Sequence, residues 1–90
     1  MTLDQAEVDL KAAGFLQIEQ KVLEPRPANT AHCHDYNIRG VVLDGLFVVT
    51  QEGQAVSYRA GEIFAVPAGQ SHTEAVGPNG ARIVVGRKYL

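Results

Sequence analysis

The chain has 90 residues, of which 46% are hydrophobic and 20% are charged, and its formal net charge is −2. These values are typical of one globular domain and exclude a disordered chain, and the lack of a basic run excludes a nucleic-acid partner. A single cysteine, an acidic start without a signal-peptide pattern and no apolar run near about 18 residues predict a cytoplasmic protein without a membrane partner.

The first segment has the pattern of a short helix. Thr2 and Gln5 have the spacing of a capping box, and the residues up to Ala13 are good helix formers. Gly14 then offers a helix end. We therefore predict an N-terminal helix within residues 1–14, with a structural role.

The remaining chain alternates between short apolar runs and turn residues. The runs have strand length and cover residues 15–23, 38–43, 46–50, 55–58, 63–66 and 82–85. The breaks that follow residue 43 contain glycine, in Asp44-Gly45, Glu52-Gly53, Ala60-Gly61, Ala68-Gly69 and Pro78-Asn79-Gly80. This spacing predicts an all-β antiparallel sandwich or barrel, with residues 1–90 forming one domain.

The three histidines of the chain are candidate metal ligands. His32 and His34 are two residues apart, so on an extended strand their side chains point to one face, with Cα atoms about 6.5–7 Å apart. Two imidazoles at this separation can bind one ion, at about 2.0–2.1 Å from each nitrogen. His72 follows a predicted strand, a proline and a turn glycine, and starts the next strand.

The segment that ends at His72 resembles the second motif of the cupin family. In that motif a glycine is followed by five residues, a proline, one residue, a second glycine, two residues and a histidine. Gly61, Pro67, Gly69 and His72 match the fixed positions in turn. The resemblance is specific because four fixed positions agree in both type and spacing.

The first cupin motif opens with two histidines one residue apart and closes on a glycine, as His32, His34 and Gly45 do. The resemblance covers residues 25–88. It implies an RmlC-like cupin barrel, a double-stranded β-helix or jelly roll, after the N-terminal helix. It also implies that one divalent transition metal lies between His32, His34 and His72.

The chain departs from the family at two polar positions. A glutamate usually follows the second histidine where this chain has Ile38 and Arg39, and the second motif usually ends in asparagine where it has Val76. Ile38 and Val76 would make the pocket less polar than in the family. The implied centre has three neutral ligands and open positions, as catalytic sites do. It suits Fe(II), Zn, Ni, Mn or Cu, and family members of this kind include iron-dependent thiol and diketone-cleaving dioxygenases.

Strand parity adds two candidates for the site. Glu74 lies two residues after His72 and faces the same side of a regular strand, as a fourth ligand, a partner of a ligand, or a solvated charge at the barrel mouth. Tyr36 has the parity of His34 and is either a proton donor in the pocket or an amphipathic rim or core residue.

Residues of the opposite parity are expected to face away from the metal. We expect Cys33 to be a small buried hydrophobic residue and Arg39 to be solvated or in a subunit contact. We expect Asp35 and Asn37 to be exposed polar residues.

Three functions fit this pattern. The first is a metalloenzyme, such as a dioxygenase, acting on a small molecule at an open ion in an apolar barrel. The second is a non-catalytic module that binds or senses a small ligand or a metal, which suits so short a chain. The third is a dimerisation barrel with a vestigial site. We expect a homodimer in each case, because a small open barrel leaves strand edges unpaired, and residues 15–23 and 81–86 are the candidate interfaces.

Overall fold

The structure is a computed structural model that describes residues 1–89. Within this range it has one helix and five strands: α1 (Leu3–Ala12), β1 (Leu16–Leu23), β2 (Tyr36–Gln51), β3 (Gln54–Tyr58), β4 (Ile63–Val66) and β5 (His72–Tyr89). The predicted all-β class with a short N-terminal helix is therefore confirmed. No helix in the described range is long and apolar enough to cross a lipid bilayer.

The predicted capping box closes the start of α1. The Thr2 hydroxyl accepts a hydrogen bond from the backbone N–H of Gln5 at 3.2 Å, and Gln5 Oε1 accepts one from the N–H of Thr2 at 3.0 Å. Both bonds satisfy backbone donors that the first helical turn leaves unpaired. The helix then buries Ala6 and Leu10 against the sheet.

Two long strands, β2 and β5, form the centre of the sheet. The strand order is β1-β5-β2-β3, and β4 pairs with the first half of β2. β2 and β5 are antiparallel and pair from Tyr36↔Tyr89 to Gln51↔His72. The first half of β5 also contacts the loop after β1, through isolated bridges at Arg26↔Val76 and His32↔His72. The sheet thus curls around so that this loop lies beside β5.

Two of the predicted turns are wrong. Asp44-Gly45 lies inside β2 and Pro78–Gly80 lies inside β5, so each pair of predicted segments is part of one strand. The β2–β5 ladder shifts register on both sides of this region, and such bulges bend a strand without reversing it. Gly45 has φ 83°, and a Cβ atom there would overlap the carbonyl oxygen of Gly80, which explains the glycine.

Alternating residues of the central strands supply apolar clusters on opposite faces of the sheet. The outer cluster, under α1, contains Ala6, Leu10, Phe15, Val41 and Val84. The inner cluster contains Val42, Phe47, Val49, Phe64, Val66, Val76, Ala81 and Ile83. The inner cluster forms the floor of the barrel, above which the histidines lie.

Candidate metal centre

Backbone hydrogen bonds bring the two histidine motifs together. His32 and His72 exchange N–H to carbonyl bonds of 3.0 and 2.9 Å. The carbonyl oxygen of His34 accepts a bond of 2.7 Å from the N–H of Gly69, which has φ 78° in the turn between β4 and β5. His32 and His34 lie before β2, outside the described strands. The hydrogen bonds to His72 and Gly69 of the second motif hold them in place.

The three imidazole rings form a cluster. Their centroids are 4.3 Å apart for His32 and His72, 5.2 Å for His32 and His34, and 5.6 Å for His34 and His72. One nitrogen of each ring lies within 4.8 Å of those of the other two. His72 is only 2% exposed, whereas His32 and His34 are half-buried. The three candidate ligands from the sequence thus lie together in space.

Hydrogen bonds on Nδ1 define the tautomer of two of these rings. His32 Nδ1 donates to the carbonyl oxygen of Thr30 at 2.9 Å, and His72 Nδ1 donates to that of Gln70 at 3.2 Å. Because a carbonyl oxygen only accepts, both Nδ1 atoms carry a proton, and in the neutral form of each ring the Nε2 atom keeps a lone pair. In histidines that bind metals, the ring nitrogen that does not face the ion commonly donates a hydrogen bond to the protein, as Nδ1 does here.

His34 is oriented by Tyr36. The Tyr36 hydroxyl is 3.2 Å from His34 Nδ1, and the two rings stack with centroids 4.9 Å apart. Burial lowers the pKa of His34, and the neighbouring His32 and His72 lower this pKa further. The neutral imidazole, which is the form that binds a metal ion, is therefore favoured.

Glu74 faces the cluster from β5. Its Oε2 is 3.2 Å from His72 Nε2, and its Oε1 accepts a bond of 3.3 Å from Arg26. Its backbone N–H donates to Asn29 Oδ1 at 2.9 Å. Sequence reasoning identified Glu74 but missed Arg26 and Asn29, because only the bridges between the loop and β5 bring these two residues to the site.

His32 and His34 of the cluster line a cavity of about 290 Å³. The side chains that line it are Gln17, Glu19, Lys21, Leu23, Arg26, Asn29, His32, His34, Tyr36, Ile38, Phe47, Phe64, Glu74, Ile83, Val85 and Arg87. Tyr36 and Ile38 thus line the pocket, which is one of the positions that the sequence suggested for them. Val76 is not among the lining residues, because it is buried in the inner cluster.

The expectation that Cys33 is buried is wrong. Cys33 is exposed, as are Ala31 and Asp35 on either side of the two half-buried histidines. The alternation of side chains along this segment was therefore predicted correctly. The burial was wrong because the outer face of this segment is open to solvent.

Asn37 and Arg39 are also less exposed to solvent than expected. Asn37 is half-buried, and its Oδ1 accepts a hydrogen bond of 2.9 Å from the N–H of Ala68, in the turn before His72. Arg39 is half-buried, and its guanidinium lies 4.9 Å from the centroid of the Phe15 ring. Asn37 thus connects the start of β2 to the second motif.

The fold and the histidine cluster agree with a family match. The sequence matches the cupin domain family, Cupin_2, over residues 20–85. The chain therefore belongs to the cupin domain family. No curated protein matches the sequence significantly.

Solved cupin structures share this fold at low sequence identity. An RmlC-like cupin from Shewanella frigidimarina has a TM-score of 0.70 and 22% identity, covering 81% of this chain and 65% of its own. The EutQ protein of Clostridium difficile has a TM-score of 0.71 and 21% identity, covering 89% and 61%. The polyketide cyclase RemF from Streptomyces resistomycificus has a TM-score of 0.65 and 23% identity, covering 78% and 52%. The chain spans less than two thirds of the length of each of these three proteins, and the similarity establishes the fold alone.

Proposed function

We propose that this cupin binds one divalent transition metal ion through His32, His34 and His72 and uses it to bind and act on a small molecule. The contact between His72 and Glu74 supports the ion most directly. His72 Nδ1 donates to the carbonyl oxygen of Gln70, and its Nε2 lies 3.2 Å from the Glu74 carboxylate. A carboxylate this close to a ring nitrogen needs a positive charge between or beside the two atoms, which either a proton on Nε2 or a bound cation supplies. Two further imidazoles within 4.8 Å supply the ligands that a metal ion needs and a proton does not.

Glu74 completes this donor set in our proposal. Its carboxylate oxygen lies 3.2 Å from His72 Nε2, close enough to share an ion with that nitrogen, whereas the donor atoms that all lie within 4.8 Å of one another are those of the three imidazoles alone. Arg26 holds the other carboxylate oxygen at 3.3 Å. Glu74 would thus replace the family's glutamate, whose usual slots contain Ile38 and Arg39. Three imidazoles and one carboxylate suit Fe(II), Zn, Ni, Mn or Cu.

The cavity residues around the cluster suit chemistry on a small molecule. A divalent ion in this position would supply Lewis acidity toward an oxygen atom of the molecule. The Tyr36 hydroxyl, on the cavity wall and 3.2 Å from His34 Nδ1, is placed to donate a proton to that molecule. Phe47 and Phe64 give the cavity an apolar floor that limits the access of water.

A non-catalytic binding or sensor module is the second candidate. The small cavity and the short connections after β2 favour it, and the longer connection between β1 and β2, residues 24–35, is bridged to β5, so little chain is left for a lid. Oxygen uptake by the Fe(II)-loaded protein with thiols, diketones and phenols separates the two candidates. Faster uptake with any of them supports a dioxygenase-like enzyme, and no change supports the binding module.

We also propose that the chain forms a homodimer through β1. This strand is at the edge of the sheet, and none of the eight residues described for it is buried. Leu16 and Val22 are 61% and 72% exposed. Pairing with a second copy would satisfy the free edge and cover both side chains. Sedimentation equilibrium should give a dimer that Val22→Lys weakens and Val8→Lys, on α1, leaves unchanged, and a monomer at micromolar concentration would contradict this proposal.

The metal content of the purified protein tests the metal site. We expect a single metal ion per chain, measured by elemental mass spectrometry without added metal or chelator. His34→Ala should lose it, and Cys33→Ala should retain it. Cys33 is a matched control because it is adjacent in sequence but exposed and outside the cluster. Negligible metal in the wild type after loading with Fe(II), Zn, Ni and Mn would overturn the proposal.

A further inference from the structure

The charged side chains that line the cavity favour an anionic ligand. Lys21, Arg26 and Arg87 are positive, whereas Glu19 and Glu74 are negative, which leaves an excess of one positive charge. A divalent ion in the histidine cluster would increase this excess. Low-dielectric walls focus such a field and raise the local concentration of small anions.

Arg87 is the cavity arginine whose charge is free to meet a ligand. Among the described residues, ion pairs within 4.0 Å involve Arg26 and Arg82 but not Arg87. Arginine keeps its charge at any ordinary pH, and the neighbouring Tyr89 raises the pKa of Arg87 further. No carboxylate of the described chain is therefore bound directly to Arg87.

The position of Arg87 is coupled to the histidine cluster through Tyr36. The Arg87 Cζ atom lies 4.6 Å from the centroid of the Tyr36 ring, a cation–π contact that holds the guanidinium. The Tyr36 hydroxyl in turn lies 3.2 Å from His34 Nδ1. A small molecule at the cluster would therefore have a fixed positive charge close to it in the same cavity.

We propose that the cavity binds a small organic acid, with a donor oxygen facing the histidine cluster and the carboxylate bound by Arg87. This inference rests on the proposed metal site, because the donor oxygen would take one of its open positions. The planar guanidinium suits a carboxylate, to which it can make two parallel hydrogen bonds. The cavity of about 290 Å³ is at the lower end of the range of about 300–1,000 Å³ for small-molecule sites, so the acid has few carbon atoms. Phe47 and Phe64 on the floor would contact these atoms.

Pyruvate and its uncharged methyl ester test the inference on the Co(II)-loaded full chain. The two probes share the keto oxygen and differ in the carboxylate charge. Titration followed by the visible absorption of the cobalt should show that pyruvate binds more tightly than the ester by about fivefold or more, the effect of one charge-assisted contact. Arg87→Gln should remove this preference, and Arg87→Lys should restore part of it. Arg82→Gln is the matched control, because Arg82 pairs with Asp44 at 2.6 Å and does not line the cavity.

Calorimetric titration of the metal-free chain keeps the two proposals separate. A weaker preference for pyruvate over the ester should remain there and should again depend on Arg87. Failure to load cobalt would count against the metal site, and the metal-free titration would then decide the inference. Equal binding of the two probes in both forms, or an equal loss of preference in Arg87→Gln and Arg82→Gln, would overturn it.

Discussion

The three histidines are held by two segments with very different structures. The first-histidine segment, residues 30–35, lies outside the described strands, contacts β5 through one bridge at His32, and has exposed residues at alternate positions. The β5 start, residues 72–76, is paired with β2 along its whole length, and His72 is only 2% exposed. One candidate ligand therefore belongs to the folded core, and the other two belong to a rim segment that fewer backbone hydrogen bonds tie to the sheet.

Because of this difference, we expect substitutions in the two segments to affect stability and metal binding differently. A ligand in a regular ladder is positioned before any ion binds, because every residue around it is paired with the neighbouring strand. Ligands on a segment with few hydrogen bonds adjust to the ion instead and contribute little to folding. We therefore expect substitutions in the β5 start to affect both properties, and substitutions in the first-histidine segment to affect metal binding alone.

The largest expected effect is that of His72→Ala. It should abolish metal binding and lower the free energy of unfolding of the metal-free protein by about 2–3 kcal/mol, because it leaves a buried void and an unpaired Gln70 carbonyl. His34→Ala should abolish metal binding as well but cost less than about 1 kcal/mol. Urea unfolding measures the stability of each variant, and elemental mass spectrometry measures its metal content. Equal destabilisation by the two substitutions would contradict the distinction between core and rim.

Glu74→Gln should have the next largest effect, on metal affinity. Loss of the carboxylate beside His72 should weaken binding by about 10- to 100-fold, as for other groups that support metal ligands. The fold should be unaffected because Glu74 is partly exposed. Competition with a chelator gives the affinity, and Glu52→Gln, in the exposed β2–β3 turn, is the control. An affinity equal to that of the control would mean that Glu74 does not act at the metal.

Asn37→Ala should weaken the connection between the two segments. Its Oδ1 accepts the Ala68 N–H, and loss of this bond should cost about 1 kcal/mol of stability. Metal affinity should fall by about fivefold, because the turn that holds His34 through Gly69 is released. Asn79→Ala, at an exposed position of β5, serves as the comparison in the same urea and chelator titrations. A loss of stability with unchanged affinity would show that the two segments are positioned independently.

Tyr36→Phe should have the smallest effect. It keeps the ring that stacks on His34 but removes the hydroxyl 3.2 Å from Nδ1. Metal affinity should decrease by about three- to fivefold, the value of one half-exposed hydrogen bond, with no change in stability. The same chelator competition measures it. A decrease as large as that of Glu74→Gln would contradict the small contribution assigned to the Tyr36 hydroxyl.

The parts of the site that depend on a local sequence pattern could be predicted. The spacing of Gly61, Pro67, Gly69 and His72 depends on a turn and a strand start, which are properties of adjacent residues. The partners of these residues were not predictable. Arg26 reaches Glu74 across 48 positions, and Arg87 lines the cavity from the far end of β5.

The sequence by itself determined the capping box of α1, the apolar faces of the strands and the spacing of the histidines, because each depends on residues close together in the chain. Only the tertiary structure decided that the chain continues through Asp44-Gly45 as one bulged strand. The reason is physical: a glycine permits both a turn and a bulge, and the choice depends on the partner strand, here the close approach of Gly80. The exposure of Cys33 and the burial of Val76 were decided in the same way, by what packs against each face of the backbone.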